Sequence, residues 1–108
     1  MERLEPYTVN EVVEQLAELD GKRVRVVGVL TLEHEGRALW HVPKAERRDG
    51  SPGRSSVWVE LEGPLRDRTA LGGFDGRRVI ADATVDARHQ GHLDGWCGVI
   101  RVSALTKV

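Results

Sequence analysis

Apolar residues near the start of the chain recur at helical spacing. Residues 8–11 form a capping box, because the Thr8 side chain can accept the Glu11 amide proton while the Glu11 carboxylate reaches back to the Thr8 amide. One apolar stripe follows, made of Val9, Val12, Val13, Leu16 and Leu19. Gly21 suits the left-handed position just past a helix. The pattern predicts a helix over residues 8–20, packed through its stripe against the rest of the chain.

After Gly21 the period of the apolar positions changes from about 3.6 to about 2, which is typical of strands. Turn residues divide this part into five predicted strands, over residues 22–32, 38–42, 56–61, 77–87 and 95–105. Gly28 lies inside the first strand, where a glycine often marks a bulge or a sharp bend. The connector over residues 62–76 is expected to hold one helical turn near residues 65–71.

Five predicted strands in a chain of 108 residues favour a small closed barrel, because closure removes exposed strand edges. The strand pattern resembles the oligonucleotide/oligosaccharide-binding barrel, the OB-fold. GKRVRVVGVL, residues 21–30, is similar to the first strand of anticodon-binding and single-strand-binding members. GHLDGWCGVIRVSAL, residues 91–105, is similar to the last strand of small bacterial OB proteins. The connector between strands three and four departs from the pattern, since OB-folds often carry a longer helix there.

The expected fold is therefore mainly β: a five-stranded, OB-like Greek-key barrel with an N-terminal α-helix. A chain of 108 residues and 12.0 kDa is expected to form one domain, with the helix over 8–20 and the barrel over 21–108. Hydrophobic residues make up 40% of the chain and charged residues 31%, which is typical of a folded rather than a disordered protein. The N-terminus lacks the apolar core of a secretory signal, so we expect a cytoplasmic protein.

Charge is distributed unevenly along the chain. Its formal net charge is −1, yet residues 1–20 carry six acidic side chains and one basic one, leaving +4 on the remainder. Arginine outnumbers lysine thirteen to three, which a GC-rich genome explains as well as a need for phosphate contacts. Dedicated nucleic-acid domains often have a pI above about 9, whereas this chain has a pI of 6.4. Nucleic-acid binding would therefore need a local basic patch.

The sequence carries no catalytic motif. Gly72-Gly73 lacks the lysine and Ser/Thr of a phosphate-binding loop. Cys97 is the only cysteine and lies in an apolar stretch, which favours a buried, inert thiol and excludes an internal disulfide. His89 and His92 have a spacing that zinc can use, but a third ligand is missing from the pattern. We therefore expect a non-catalytic protein with no cofactor and no metal.

The OB resemblance implies a ligand surface across strands two and three, framed by neighbouring loops. Trp58 is out of phase with Val57, Val59 and Leu61, so it is the best candidate to stack on a base of single-stranded nucleic acid. Trp40 shares its phase with Val42, which favours the core. The other candidate contacts are Arg37, His41, Arg47, Arg48, Arg54, Arg88, His89 and His92.

Two other functions remain open at this point. The chain could be a protein–protein interaction module or a subunit of a larger complex, with the acidic helix as its docking surface. Trp58 could also stack on a sugar ring. Only 5% of the residues are aromatic and the net charge is slightly negative, which weighs against nucleic acid. Salt dependence separates these hypotheses, because phosphate-driven binding weakens steeply with salt.

Overall fold

The computed structural model describes residues 5–33, 36–41, 56–66, 72–87 and 98–108. In chain order its elements are β1 (Tyr7–Thr8), α1 (Val9–Glu14), α2 (Leu16–Leu19), β2 (Arg23–Glu33), β3 (Gly36–Trp40), β4 (Ser56–Leu61), β5 (Arg78–Asp86) and β6 (Val99–Lys107). Two 3-10 turns, at Gly63–Arg66 and 72–74, lie between β4 and β5. None of the described helices is long and apolar enough to cross a membrane.

The five long strands close into a barrel. Around the ring the order is β2-β3-β4-β6-β5, and β5 pairs again with β2. The β4–β6 pair is parallel and the other pairs in the ring are antiparallel. Because β5 returns to lie beside β2 after three consecutive strands, the connection is a Greek key. The predicted fold class is confirmed: a mainly β, OB-like five-stranded barrel preceded by a helix.

Inward-facing residues fill the barrel with small and branched apolar side chains. Val57, Val59 and Leu61 of β4 all belong to this core, as their alternation predicts. The register of β5 and β6 shifts between Asp82 and Ala83. The shift leaves Ser103 as an extra residue of β6, so Leu105 still packs against the core three positions after Val102.

Two short helices replace the single helix predicted over residues 8–20. They meet at Gln15, whose backbone has φ −113° and ψ 22° and whose N–H is shared between the carbonyls of Glu11 and Val12. α1 packs beside β2 and β4 while α2 packs beside β5. The apolar stripe therefore faces different strands on either side of Gln15. Val9 and Val12 are fully buried, and Leu19 is 5% exposed.

The capping box at the start of α1 is confirmed. The Glu11 amide donates to Thr8 Oγ1 at 3.2 Å, and the Thr8 amide donates to Glu11 Oε1 at 3.0 Å. We expect Thr8→Ala to lower the free energy of unfolding by about 1 kcal/mol, because one helix N–H loses its acceptor. Chemical denaturation measures this loss. Glu14→Ala, at an exposed position of the same helix, is the control and should stay within about 0.5 kcal/mol of the wild type. Equal midpoints for the two variants would contradict the cap.

Candidate functional site

A second apolar cluster lies on the outer face of β3 and β4. Its members are Val29, Ala38, Trp40, Trp58 and Val99. Ala38 pairs with Trp58 across the two strands, while the next pair along, Leu39 with Val57, points into the barrel core. Successive residues of a strand face opposite sides. Both indoles therefore lie outside the barrel, in the outer cluster.

Trp58 is held by two charged side chains. Its indole Nε1–H donates to Glu60 Oε1 at 2.7 Å. The guanidinium carbon of Arg37 lies over the same ring, 5.4 Å from its centroid. Arg37 Nη2 also lies 3.5 Å from Glu60 Oε2, so one carboxylate bridges the indole and the guanidinium. We call Arg37, Trp58 and Glu60 the stacked triad.

Exposure differs sharply within the stacked triad. Trp58 is 4% exposed, whereas the side chains of Arg37 and Glu60 are 26% and 49% exposed. Ion pairs with this degree of solvent contact typically contribute about 0–1 kcal/mol. Arg37 can therefore exchange its carboxylate partner for a ligand at little cost, while the ring beneath it stays in place.

Trp40 is buried by a different set of contacts. Its indole Nε1–H donates to Thr31 Oγ1 at 3.1 Å, and the residue is 7% exposed. Trp40 is buried, as its expected core position implies, but it belongs to the outer cluster, because Leu39 takes the inward position in the barrel. Thr31 is a residue that sequence reasoning missed. Its outward phase on β2 and its pairing with Ala38 place it beside the indole.

The structure brings together only part of the predicted site. Arg37 and Trp58 are in contact, and His41 follows directly after β3 in a half-buried position. Glu60 completes the triad; its alternation with Trp58 was the signal for its outward position. The remaining candidates lie outside the described residues: Arg47, Arg48, Arg54, Arg88, His89 and His92. Their assignment stays a prediction.

Direct stacking of a base on Trp58 needs an open ring face, and a residue that is 4% exposed offers very little of one. The Arg37 guanidinium, whose side chain is 26% exposed, lies over this ring. Among the described residues no three His, Cys, Asp or Glu side chains come together to hold a metal ion. The indole, guanidinium and carboxylate of the stacked triad offer stacking, hydrogen bonding and charge.

Comparisons with known proteins add nothing to this picture. No protein-family model, no curated protein and no solved structure matches the chain.

Proposed function

We propose that this chain is a non-catalytic OB-type binding module for single-stranded nucleic acid. The observation that carries the proposal is the partly exposed Arg37 guanidinium, which lies over Trp58 and beside the carboxylate of Glu60. The closed Greek-key barrel supports it, because OB barrels take oligonucleotides on the outer face of the corresponding strands.

In this proposal an unstacked base lies on the outer plane of the Arg37 guanidinium, with Trp58 beneath. Unpaired bases are bound in this way on arginine planes as well as on aromatic rings. The ring fixes the guanidinium through a cation–π contact, so little side-chain freedom is lost when the base arrives. Glu60 can accept a hydrogen bond from an amino group at the edge of the base.

The net charge of −1 sets the expected strength of binding. A slightly acidic protein has little long-range attraction for a polyanion, so affinity must come from stacking and a few local phosphate contacts. The predicted basic residues would supply those contacts: Arg47, Arg48, Arg54 and Arg88, with His89 and His92. We expect weak binding that is strongest at low salt.

Arg37→Lys tests the proposal, because it keeps the charge and removes the planar group. Loss of one stacked base is expected to weaken oligo-dT binding by about 1–3 kcal/mol, with little change in the dependence on salt. Fluorescence titration of the tryptophans at two salt concentrations measures both. Arg78→Lys is the matched control, since Arg78 is exposed and its side chain makes no hydrogen bond or ion pair with the described residues.

Equal oligo-dT affinities for the two variants would show that Arg37 does not contact the nucleic acid. Absence of oligo-dT and oligo-U binding by the wild-type protein at about 50 mM salt, where ionic contacts are strongest, would end the nucleic-acid proposal. A protein–protein interaction module would then be the working hypothesis. The acidic helix side, where Glu14 and Glu18 are exposed, would be the first surface to test.

A further inference from the structure

A row of polar side chains crosses the barrel on the side opposite the stacked triad. Arg23 of β2 pairs with Thr84 of β5, and Thr84 pairs with Arg101 of β6. Their neighbours along each strand, Val24, Ala83 and Val102, are buried in the barrel core. The three side chains therefore point outward, in register on adjacent strands. We call Arg23, Thr84 and Arg101 the arginine row.

Hydrogen-bonding capacity is left over at two positions of the arginine row. Arg23 Nη2 donates to Ser103 Oγ at 3.1 Å, a neutral acceptor, and none of the described carboxylates pairs with Arg23. Ser103 is itself fixed, because its hydroxyl donates to the Asp82 carbonyl at 3.2 Å. The Thr84 hydroxyl makes no hydrogen bond to any described residue. A guanidinium has five N–H donors, so most of those of Arg23 remain available.

Arg101 completes the row with a firmly placed guanidinium. Its Nη2 lies 2.9 Å from Asp86 Oδ2, and that carboxylate is 7% exposed while the Arg101 side chain is 50% exposed. A buried anchor on one side leaves the other side of the guanidinium facing solvent. Arg25, the next outward residue of β2, does not add to the row, because Asp82 lies 3.8 Å from its Nε.

The spacing of the row suits one tetrahedral oxyanion. Neighbouring strands lie about 4.8 Å apart, so the two arginines start about 10 Å apart with the threonine hydroxyl midway. Guanidinium forks match phosphate oxygens in a bidentate manner, and threonine hydroxyls are common phosphate donors. One phosphate group can thus be contacted from both sides and from below.

We propose that the arginine row binds a backbone phosphate of single-stranded nucleic acid, as a second contact for the strand that occupies the stacked triad. This inference rests on the proposed function. Arg37 pairs with Leu32 of β2, and Arg23 lies nine residues earlier on the same strand, so a nucleic-acid strand that occupies both places must span about 30 Å along β2. The repeating charge of a polynucleotide allows one molecule to occupy both places.

The test compares Arg23→Gln and Thr84→Val with Arg78→Gln in oligo-dT binding over a range of salt concentrations. Each arginine variant removes one exposed positive charge, so the two affect the net charge equally. Loss of a single phosphate contact is expected to reduce the slope of log affinity against log salt by about 0.7 for Arg23→Gln. Arg78→Gln is expected to leave the slope unchanged. Thr84→Val should weaken binding at every salt concentration without changing the slope.

NMR signals of the arginine Nε–H groups locate the contact independently. Oligo-dT is expected to shift the Arg23 and Arg101 signals saturably and to leave the Arg78 signal in place. Inorganic phosphate should shift the same two signals more weakly, which identifies phosphate as the group bound. Oligoglutamate of equal charge should leave the Arg23 and Arg101 signals in place. An equal response to oligoglutamate would overturn the assignment in favour of an acidic protein segment.

The outcomes separate this inference from the proposed function. If Arg37→Lys weakens binding while Arg23→Gln and Arg78→Gln behave alike, the inference fails and the stacked triad stands. If Arg23→Gln changes the slope and Arg37→Lys has no effect, phosphate binding by the arginine row is supported and base binding by the stacked triad is contradicted. A wild-type protein that binds no oligo-dT at low salt overturns both.

Discussion

Trp58→Ala is expected to lower the free energy of unfolding by about 3–5 kcal/mol, the usual cost of truncating a buried tryptophan. The ring is 4% exposed and packs in the outer cluster with Ala38 and Trp40. Its removal also takes away the donor to Glu60 and the surface on which Arg37 rests. Domains of this kind are stable by only about 5–15 kcal/mol, so the variant loses a large part of its stability.

Chemical denaturation measures the effect, with Trp58→Phe as the matched control. Phenylalanine keeps a six-membered aromatic ring but loses the pyrrole part of the indole with its N–H, so a cost smaller than that of Trp58→Ala is expected. An unchanged midpoint for Trp58→Ala would show that the ring is open to solvent. That result would restore the hypothesis that a base stacks directly on Trp58.

Burial of Trp58 also decides which variants are informative about binding. A destabilised Trp58→Ala protein loses affinity because it unfolds, whether or not the ring contacts a ligand. Arg37 is partly exposed and its ion pair with Glu60 is open to solvent, so its replacement leaves the fold intact. The Arg37→Lys comparison therefore measures recognition, and Trp58→Ala measures packing.

Local patterns in the sequence predict much of this fold. The capping box at Thr8 and Glu11 needs only four consecutive residues, and both of its hydrogen bonds form. β4 spans the predicted residues 56–61, because β-branched valines at every second position, Val57 and Val59, are a strand signal that needs no partner. The change of period after Gly21 marks the start of the barrel for the same reason.

Features that depend on packing were predicted less well. The break at Gln15 follows no glycine or proline and arises where the two short helices pack on different strands. The extra residue at Ser103 depends on strand pairing but also leaves a trace in the sequence. The apolar positions of β6 change phase between Val102 and Leu105. That change is a readable sign of a bulge.

The candidate site shows the same division. Alternation places Trp58 and Glu60 on the outward face of β4, and this much follows from sequence alone. Alternation does not predict how much of the Trp58 ring is covered by neighbouring side chains. It also does not predict that Thr31 lies beside the Trp40 indole. Those contacts depend on the register between strands that are distant in the chain. The sequence therefore predicts Arg37 and Trp58 as site residues, but not the contacts that join them to Glu60.

Gly28 lies where the barrel, α1 and the outer cluster meet, next to Val9, Leu39 and Trp40. The expected bulge is not present there, because pairing with β5 runs through Gly28 without a shift. On the opposite edge of β2, the pairing with β1 ends at Val27 and the pairing with β3 begins at Val29. The helix approaches β2 at this junction, and the missing side chain makes room for it.

Gly28→Ala is expected to lower the free energy of unfolding by about 1–3 kcal/mol through overpacking. A Cβ at this position would lie 2.8 Å from Val9 Cγ2, Leu39 Cγ and the carbonyl oxygen of Trp40. The carbonyl belongs to the backbone and cannot rotate away, so β3 or α1 must shift. Denaturation midpoints measure the loss, and tryptophan fluorescence reports any movement of Trp40. Gly72→Ala is the control, since a Cβ there meets nothing within 4 Å. Equal midpoints for the two variants would mean that α1 does not pack against β2 in solution.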